Sequence, residues 1–307
     1  MAVLRRNILL FHQGALGDFV LTWPVAMALA RIHPQSRTFY VTHSRKGKLA
    51  ERAIGVESAD AEAGWHGLFG DGSTPLADLP ARLLAGAHSI VSFVSAPGGA
   101  FVQNVERLAP EANVLTVQPT PPEGFDRHAT EYQLEQLKDW PAAQAAAEQI
   151  LRSIQSRGVG ATRPASPAGV IVHPGSGSPA KNWPAERFLE LIARLRAGGE
   201  TVRVLMGEVE DERWPKELIA RFADAATIVR PQSYVELMNE LLAARAFVGN
   251  DSGPGHLSGI LGVPSLVLFG PTSPARWKPL GPRVSALQAD PLDSLAVDQV
   301  IRAFASL

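Results

Sequence analysis

Residues Gly249-Asn-Asp-Ser-Gly-Pro-Gly-His256 place a carboxylate, a hydroxyl, three glycines and an imidazole between an apolar run (Ala246-Phe-Val) and a helical one (Leu257-Ser-Gly-Ile-Leu). A strand that ends in a glycine-rich turn and feeds a helix leaves main-chain N–H groups without partners. Such groups can hold a phosphate or diphosphate with no arginine cluster. Within the turn Ser252, Gly253 and Gly255 shape the backbone, Asp251 suits hydroxyl recognition, and His256 can change charge near neutrality. An ordinary loop is the plainer reading of the same residues.

Two further turns follow the same strand–glycine–helix logic. His173-Pro-Gly-Ser-Gly-Ser-Pro-Ala-Lys-Asn-Trp-Pro184 contains Ser176 and adds Lys181, whose ammonium could reach a phosphate at the following helix start; the alternative is an exposed solubilising lysine. Gln13-Gly-Ala-Leu-Gly-Asp18 is not G-x-G-x-x-G, so a dinucleotide reading is weak. Gly14 and Gly17 would let the backbone approach a ligand. Asp18 reads equally as a general base for a bound hydroxyl or as an N-cap that stabilises its own helix. Glu208 follows a strand, at the edge where α/β proteins bind ligands, and could hold a ribose diol; it is also one of four clustered loop acids. Thr272 and Ser273, in Phe269-Gly-Pro-Thr-Ser-Pro274, either close a donor pocket or form a proline-rich turn. Asp251 and Glu208 lack a local partner at metal-ligand spacing, so Lys181, His256 and helix N-termini are expected to neutralise a diphosphate. There is no G-x-S-x-G, H-E-x-x-H or Walker sequence.

These turns need a scaffold of short strands alternating with amphipathic helices, the pattern of parallel α/β sheets. Strands are expected at Ile8–Phe11, Thr38–Thr42, Ser89–Val94 and Val114–Val117, with a helix from Asp18 to about Ile32 kinked or interrupted by Pro24. A helix is expected over 131–156 and a breaker-rich linker over 157–169. The pattern then restarts with strands at Val170–Val172, Thr201–Met206, Thr227–Val229, Ala246–Val248 and Ser265–Phe269. A helix begins at Pro184, and a last one spans about Leu295 to Phe304. The expected division is residues 1–160 and 161–307, with a ligand cleft between two similar halves and the C-terminal helix free to pack back on the first.

The bulk properties bound the function. The 307 residues are 46% hydrophobic and 19% charged, enough for two ordinary cores. A formal net charge of −1 argues against duplex nucleic acid as partner. With no cysteine there is no disulfide, thiolate nucleophile or Cys-ligated zinc. No apolar run approaches membrane-spanning length, and the first residues do not resemble a secretory signal, so a cytoplasmic protein is expected. Residues 1–52 carry eight Lys/Arg (Arg5, Arg6, Arg31, Arg37, Arg45, Lys46, Lys48, Arg52) against Asp18 and Glu51. That is either a solvated face or a basic rim for an anionic acceptor or membrane surface.

Taken in order, the motifs resemble glycosyltransferase family 9, the ADP-heptose:lipopolysaccharide heptosyltransferases. The residues that carry the resemblance are Gly14-Ala-Leu-Gly-Asp18 with Thr22 and Pro24, His173-Pro-Gly-Ser176 through Lys181-Asn-Trp-Pro184, and Asn250-Asp-Ser-Gly-Pro-Gly-His256-Leu. Gly262-Val-Pro264, Leu268-Phe-Gly-Pro-Thr-Ser-Pro274 and Trp277 complete it. The resemblance implies a GT-B fold: two Rossmann-like α/β domains and a central interdomain cleft, with acceptor bound by the first and donor by the second. It implies inverting, metal-independent transfer of a heptose or related sugar from an ADP-linked donor to a lipopolysaccharide inner-core acceptor, with no cofactor and with peripheral contact at the inner face of the inner membrane. Asp18 would then be the base. Lys181 and the Ser252–His256 turn would stabilise the leaving diphosphate, and Glu208 and Asp251 would contact ribose and donor sugar. A GT-B-shaped epimerase or sugar-nucleotide hydrolase, or a non-catalytic sugar-nucleotide-binding protein, are the competing readings.

Overall fold

The computed structural model describes residues 6–307; Arg5 of the basic segment lies outside them. The chain forms two compact units. One contains the residues up to Phe125 together with Ala129–Arg152; the other contains Asp126–His128 and Ser153–Leu307. The division falls within the helix Pro141–Arg157 rather than in the breaker-rich segment that follows it.

The first unit holds five parallel strands, β1 (Asn7–Phe11), β2 (Arg37–Thr42), β3 (Glu57–Asp60), β4 (Ala87–Ser92) and β5 (Asn113–Thr116), in the order β3-β2-β1-β4-β5. The second holds six: β6 (Val170–His173), β7 (Val202–Leu205), β8 (Thr227–Val229), β9 (Ala246–Asn250), β10 (Ser265–Phe269) and β11 (Val284–Gln288). Their order is β11-β10-β9-β6-β7-β8, again all parallel. Both sheets are doubly wound. Strand order reverses between β1 and β4 in one and between β6 and β9 in the other, and ligands bind beyond the carboxyl ends of strands at such points. The central strands β1, β6, β9 and β10 are buried along their whole length, as their near-continuous apolar composition requires.

Two edge strands escape the sequence reading. β3 is Glu-Ser-Ala-Asp, too polar to stand out, and β11 is only half-buried. The expected helix from Asp18 is two helices, Leu16–Leu21 and Trp23–Ile32. The break comes at Thr22, where the hydroxyl donates to Phe19 O at 2.7 Å, and Pro24 sits in the first turn of the second helix, where its missing N–H costs nothing. The expected helix over 131–156 likewise divides into Ala129–Glu135 and Pro141–Arg157. The last helix, Val297–Ala305, buries Val300 and Phe304 in the second unit's own core with Phe188 and Leu191. Among the described residues no helix is long and apolar enough to cross a membrane.

Candidate functional site

In the second unit the strand-order reversal places the ends of β6 and β9 side by side, with His173 opposite Gly249. Gly249 must lack a side chain, because a Cβ there would stand 2.6 Å from His173 O. The next residue, Asn250, is fully buried and ties the turns together. Its amide donates to Pro174 O at 2.7 Å, and its carbonyl accepts the Trp183 N–H at 3.0 Å. Lys181 is thereby carried to the end of β9.

Asp251 follows, with its side chain 3% exposed. Its Oδ2 accepts from Lys181 Nζ and from the Thr272 hydroxyl, each at 2.8 Å, while Oδ1 faces His256 Nε2 at 3.6 Å. Burial pushes this carboxyl up, but His256 and Lys181 outweigh it and hold it down at about 2. Asp251 is therefore a fixed charge that orients an ammonium, a hydroxyl and an imidazole. Helix Gly253–Ile260 then begins, with Ser252 as N-cap and Pro254 in its first turn. First-turn N–H groups have no intrahelical acceptor, so those of Gly253 and Gly255 are available to an anion beside Lys181. Lys181 is 31% exposed, so its ammonium stays open to solvent while paired with Asp251. His256 Nδ1 is buried without a hydrogen-bond partner.

Ser176 is buried, and its hydroxyl bonds within its own turn, to Ser178 O and Asn182 Oδ1, both at 2.7 Å. It shapes the turn that presents Lys181. Glu208 is exposed at the start of the helix Glu208–Arg213. The carboxylate that points inward is that of Glu210, which the sequence reading did not single out. Its Oε2 accepts the Gly207 N–H at 2.7 Å, and its Oε1 faces His173 Nε2 at 3.7 Å. Burial raises the Glu210 carboxyl and lowers His173 to about 4. The signal was available: an acid at the third helical position reaches back to the N-cap N–H, and Gly207-x-x-Glu210 has that spacing.

The remaining candidates, Gly14, Gly17 and Asp18, lie in the first unit beyond β1. Ala15, not Asp18, is the N-cap of helix Leu16–Leu21; Asp18 is half-buried in its first turn. Lys46, noted only among the basic residues, is 7% exposed, and its Nζ donates to Gly14 O at 2.6 Å. Burial lowers the Lys46 ammonium, and the charge of Asp18 opposes that shift. It falls in phase with Leu49 and Ala50 on the buried face of helix Ser44–Ile54, which is where periodicity would have flagged it. The other basic residues diverge: Arg37 pairs with Glu57, while Arg45, Lys48 and Arg52 are exposed on that helix. Among the described residues no group of three or more His, Asp or Glu is arranged to hold a metal ion.

Residues 113–297, well over half the chain, match the family model of glycosyltransferase family 9 (heptosyltransferase). The chain belongs to that family. Lipopolysaccharide heptosyltransferase 1 of Pseudomonas aeruginosa is 37% identical over 111 residues, which is 36% of this chain and 31% of that protein. The matched stretch thus spans about a third of the curated relative. Among solved structures, a family 9 glycosyltransferase from Veillonella parvula superposes with a TM-score of 0.70 at 18% identity, covering 98% of this chain and 96% of that one. E. coli heptosyltransferase WaaC with ADP gives 0.70 at 17% identity, covering 98% and 99%. The two parallel α/β sheets are those of the GT-B fold.

Proposed function

We propose that this family 9 protein is an inverting, metal-independent glycosyltransferase. It would move a heptose or related sugar from an ADP-linked donor to a lipopolysaccharide inner-core acceptor at the cytoplasmic face of the membrane. The observation that carries this reading is the Lys181–Asp251–Thr272 cluster at the start of helix Gly253–Ile260. A diphosphate leaving group needs preorganised positive charge where negative charge grows, and two main-chain N–H groups with the Lys181 ammonium held by Asp251 supply it. Family membership supports sugar transfer, and the ADP in the WaaC structure supports an adenine nucleotide. Asp18 is the base that takes the acceptor hydroxyl's proton as that oxygen attacks the anomeric carbon, while the sugar–phosphate bond breaks on the opposite side. Gly14 and Gly17 let the donor approach that end of β1. Glu208, exposed at its helix start, meets donor hydroxyls, Asp251 acts through the Lys181 ammonium and the Thr272 hydroxyl that it orients, and Ser176 holds the turn that frames the diphosphate.

The deciding experiment is calorimetric titration with ADP, UDP, GDP and dTDP, followed by product analysis of an ADP-heptose reaction with and without lipopolysaccharide core acceptor. Tightest binding of ADP and acceptor-dependent transfer that persists in EDTA are expected. Rapid nucleotide release from donor alone would instead mark a hydrolase or epimerase. Binding without turnover across an acceptor panel would mark a non-catalytic protein.

A further inference from the structure

Ser252 occupies the N-cap of helix Gly253–Ile260, from which a hydroxyl ordinarily accepts a first-turn N–H, yet it makes no such bond. Its Oγ lies 3.1 Å from His173 Nδ1 instead. Across the ring, His173 Nε2 faces Glu210 Oε1 at 3.7 Å, ion-pair spacing that can tighten when a ligand binds. All three side chains are buried. Glu210 is locked in place by the Gly207 N–H and by Gly175, where a Cβ would fall 1.7 Å from Glu210 Oε1. The transfer chemistry above uses neither His173 nor Glu210.

A neutral imidazole has one donor and one acceptor nitrogen, so its two sides are coupled. With a proton held between Glu210 Oε1 and His173 Nε2, Nδ1 carries hydrogen and donates to Ser252 Oγ. The Ser252 O–H is then left to point away from the ring, toward the start of the helix. Without that proton, Nε2–H donates to the carboxylate, Nδ1 becomes an acceptor, and the Ser252 hydroxyl turns inward. Oxygen lone pairs would then face an arriving anion.

We propose that Glu210 and His173 are positioning residues that hold the Ser252 hydroxyl as a hydrogen-bond donor to a diphosphate oxygen at the start of helix Gly253–Ile260. The proposal rests on the reading of that turn as the diphosphate site. Burial favours the protonated carboxyl of Glu210. The charged groups that act on Glu210 are Asp211 and Arg213 on its own helix, whereas Lys181 and His256 act on Asp251, the residue before Ser252.

The test is ADP titration of the native protein and of Ser252→Ala, Glu210→Ala and Glu210→Gln between pH 6 and 9, with thermal unfolding of each. A nitrogen-15 spectrum of the native histidines, assigned with His173→Asn, reports the tautomer directly. Loss of the hydroxyl donor should weaken ADP about tenfold to a hundredfold in Ser252→Ala. Glu210→Ala should show a comparable loss. Glu210→Gln, whose amide donates permanently where the carboxyl must first be protonated, should recover most of it. Native affinity should fall relative to that variant as pH rises and the shared proton is lost; titration of ADP itself cancels in the comparison. His173 should be the Nδ1–H tautomer. An Nε2–H tautomer, or Glu210→Gln binding as weakly as Glu210→Ala, would overturn the proposal while leaving the diphosphate site standing. If the native protein binds none of ADP, UDP, GDP and dTDP, the diphosphate reading fails and the role of this chain fails with it. Should Glu210→Ala not fold, the glutamine variant and the spectrum decide.

Discussion

Replacing Lys181 by Met separates what the Lys181–Asp251 pair does for the fold from what it does for a ligand. Asp251 is held at about 2 against an ordinary 3.8, which at neutral pH corresponds to roughly 2 kcal/mol of folding stability, shared between Lys181 and His256. Stripping one partner from a fully buried pair costs about 3–5 kcal/mol, but Lys181 is 31% exposed and water can partly take its place. A loss of roughly 1–2 kcal/mol is therefore expected, lowering Tm by about 2–8 °C. Because the folded carboxyl lies below its unfolded value, this stabilisation is complete above pH 3.8 and disappears as pH falls toward about 2. The gap between native and variant Tm should close over that acid range. Asp251→Asn added to Lys181→Met should restore part of the stability, since the buried carboxylate that lost its ammonium is then removed. ADP affinity should stay reduced about tenfold or more in both, for want of the ammonium. Thermal unfolding from pH 2 to 7 and calorimetry read the two effects separately. An unchanged Tm at pH 7 together with unchanged ADP affinity would refute the electrostatic account of this site.

If Asp18 is the base proposed above, Asp18→Ala should abolish acceptor-dependent transfer and leave ADP binding within about twofold; turnover at the native rate would eliminate Asp18 as the base. Lys46→Met should lower turnover more than ADP affinity, since the ammonium braces the Gly14 carbonyl beside Asp18, and Lys46→Arg should rescue only part of it; equal kinetics for all three proteins would rule this out. Gly175→Ala forces a methyl group to within 1.7 Å of the Glu210 carboxylate and should destabilise by about 1–3 kcal/mol, seen as a lower urea midpoint.

What could be read in the sequence follows its apolar runs. β1, β6, β9 and β10 are buried on both faces and stand out as short hydrophobic segments. β3 and β11 lie at sheet edges, where one flank needs no partner, and their mixed composition carried no signal. The turn at Asp251–His256 stood out because glycine and proline spacing marks a helix start, whereas the link between Lys181 and that turn came from the family resemblance and not from spacing. Glu210 is one of four neighbouring acids and was passed over, although its place three residues after Gly207 marks it as the one that reaches back to the N-cap N–H; a glycine at 175 leaves the room it needs. Lys46 was passed over in the same way. It stands in a run of basic residues whose exposed members, Arg45 and Lys48, suggest a solvated surface for all of them.

The pairing of His173 with Gly249 makes the sheet itself the ruler for this chemistry. A slip of one residue between β6 and β9 would turn alternate side chains to the far face and separate the imidazole from Ser252. Spacing between these two side chains is thus as durable as the central ladder, and loosening the outer loops should leave it untouched. Attempts to retune the ligand choice proposed above should accordingly target the surface turns, with the two inner strands kept as an invariant frame.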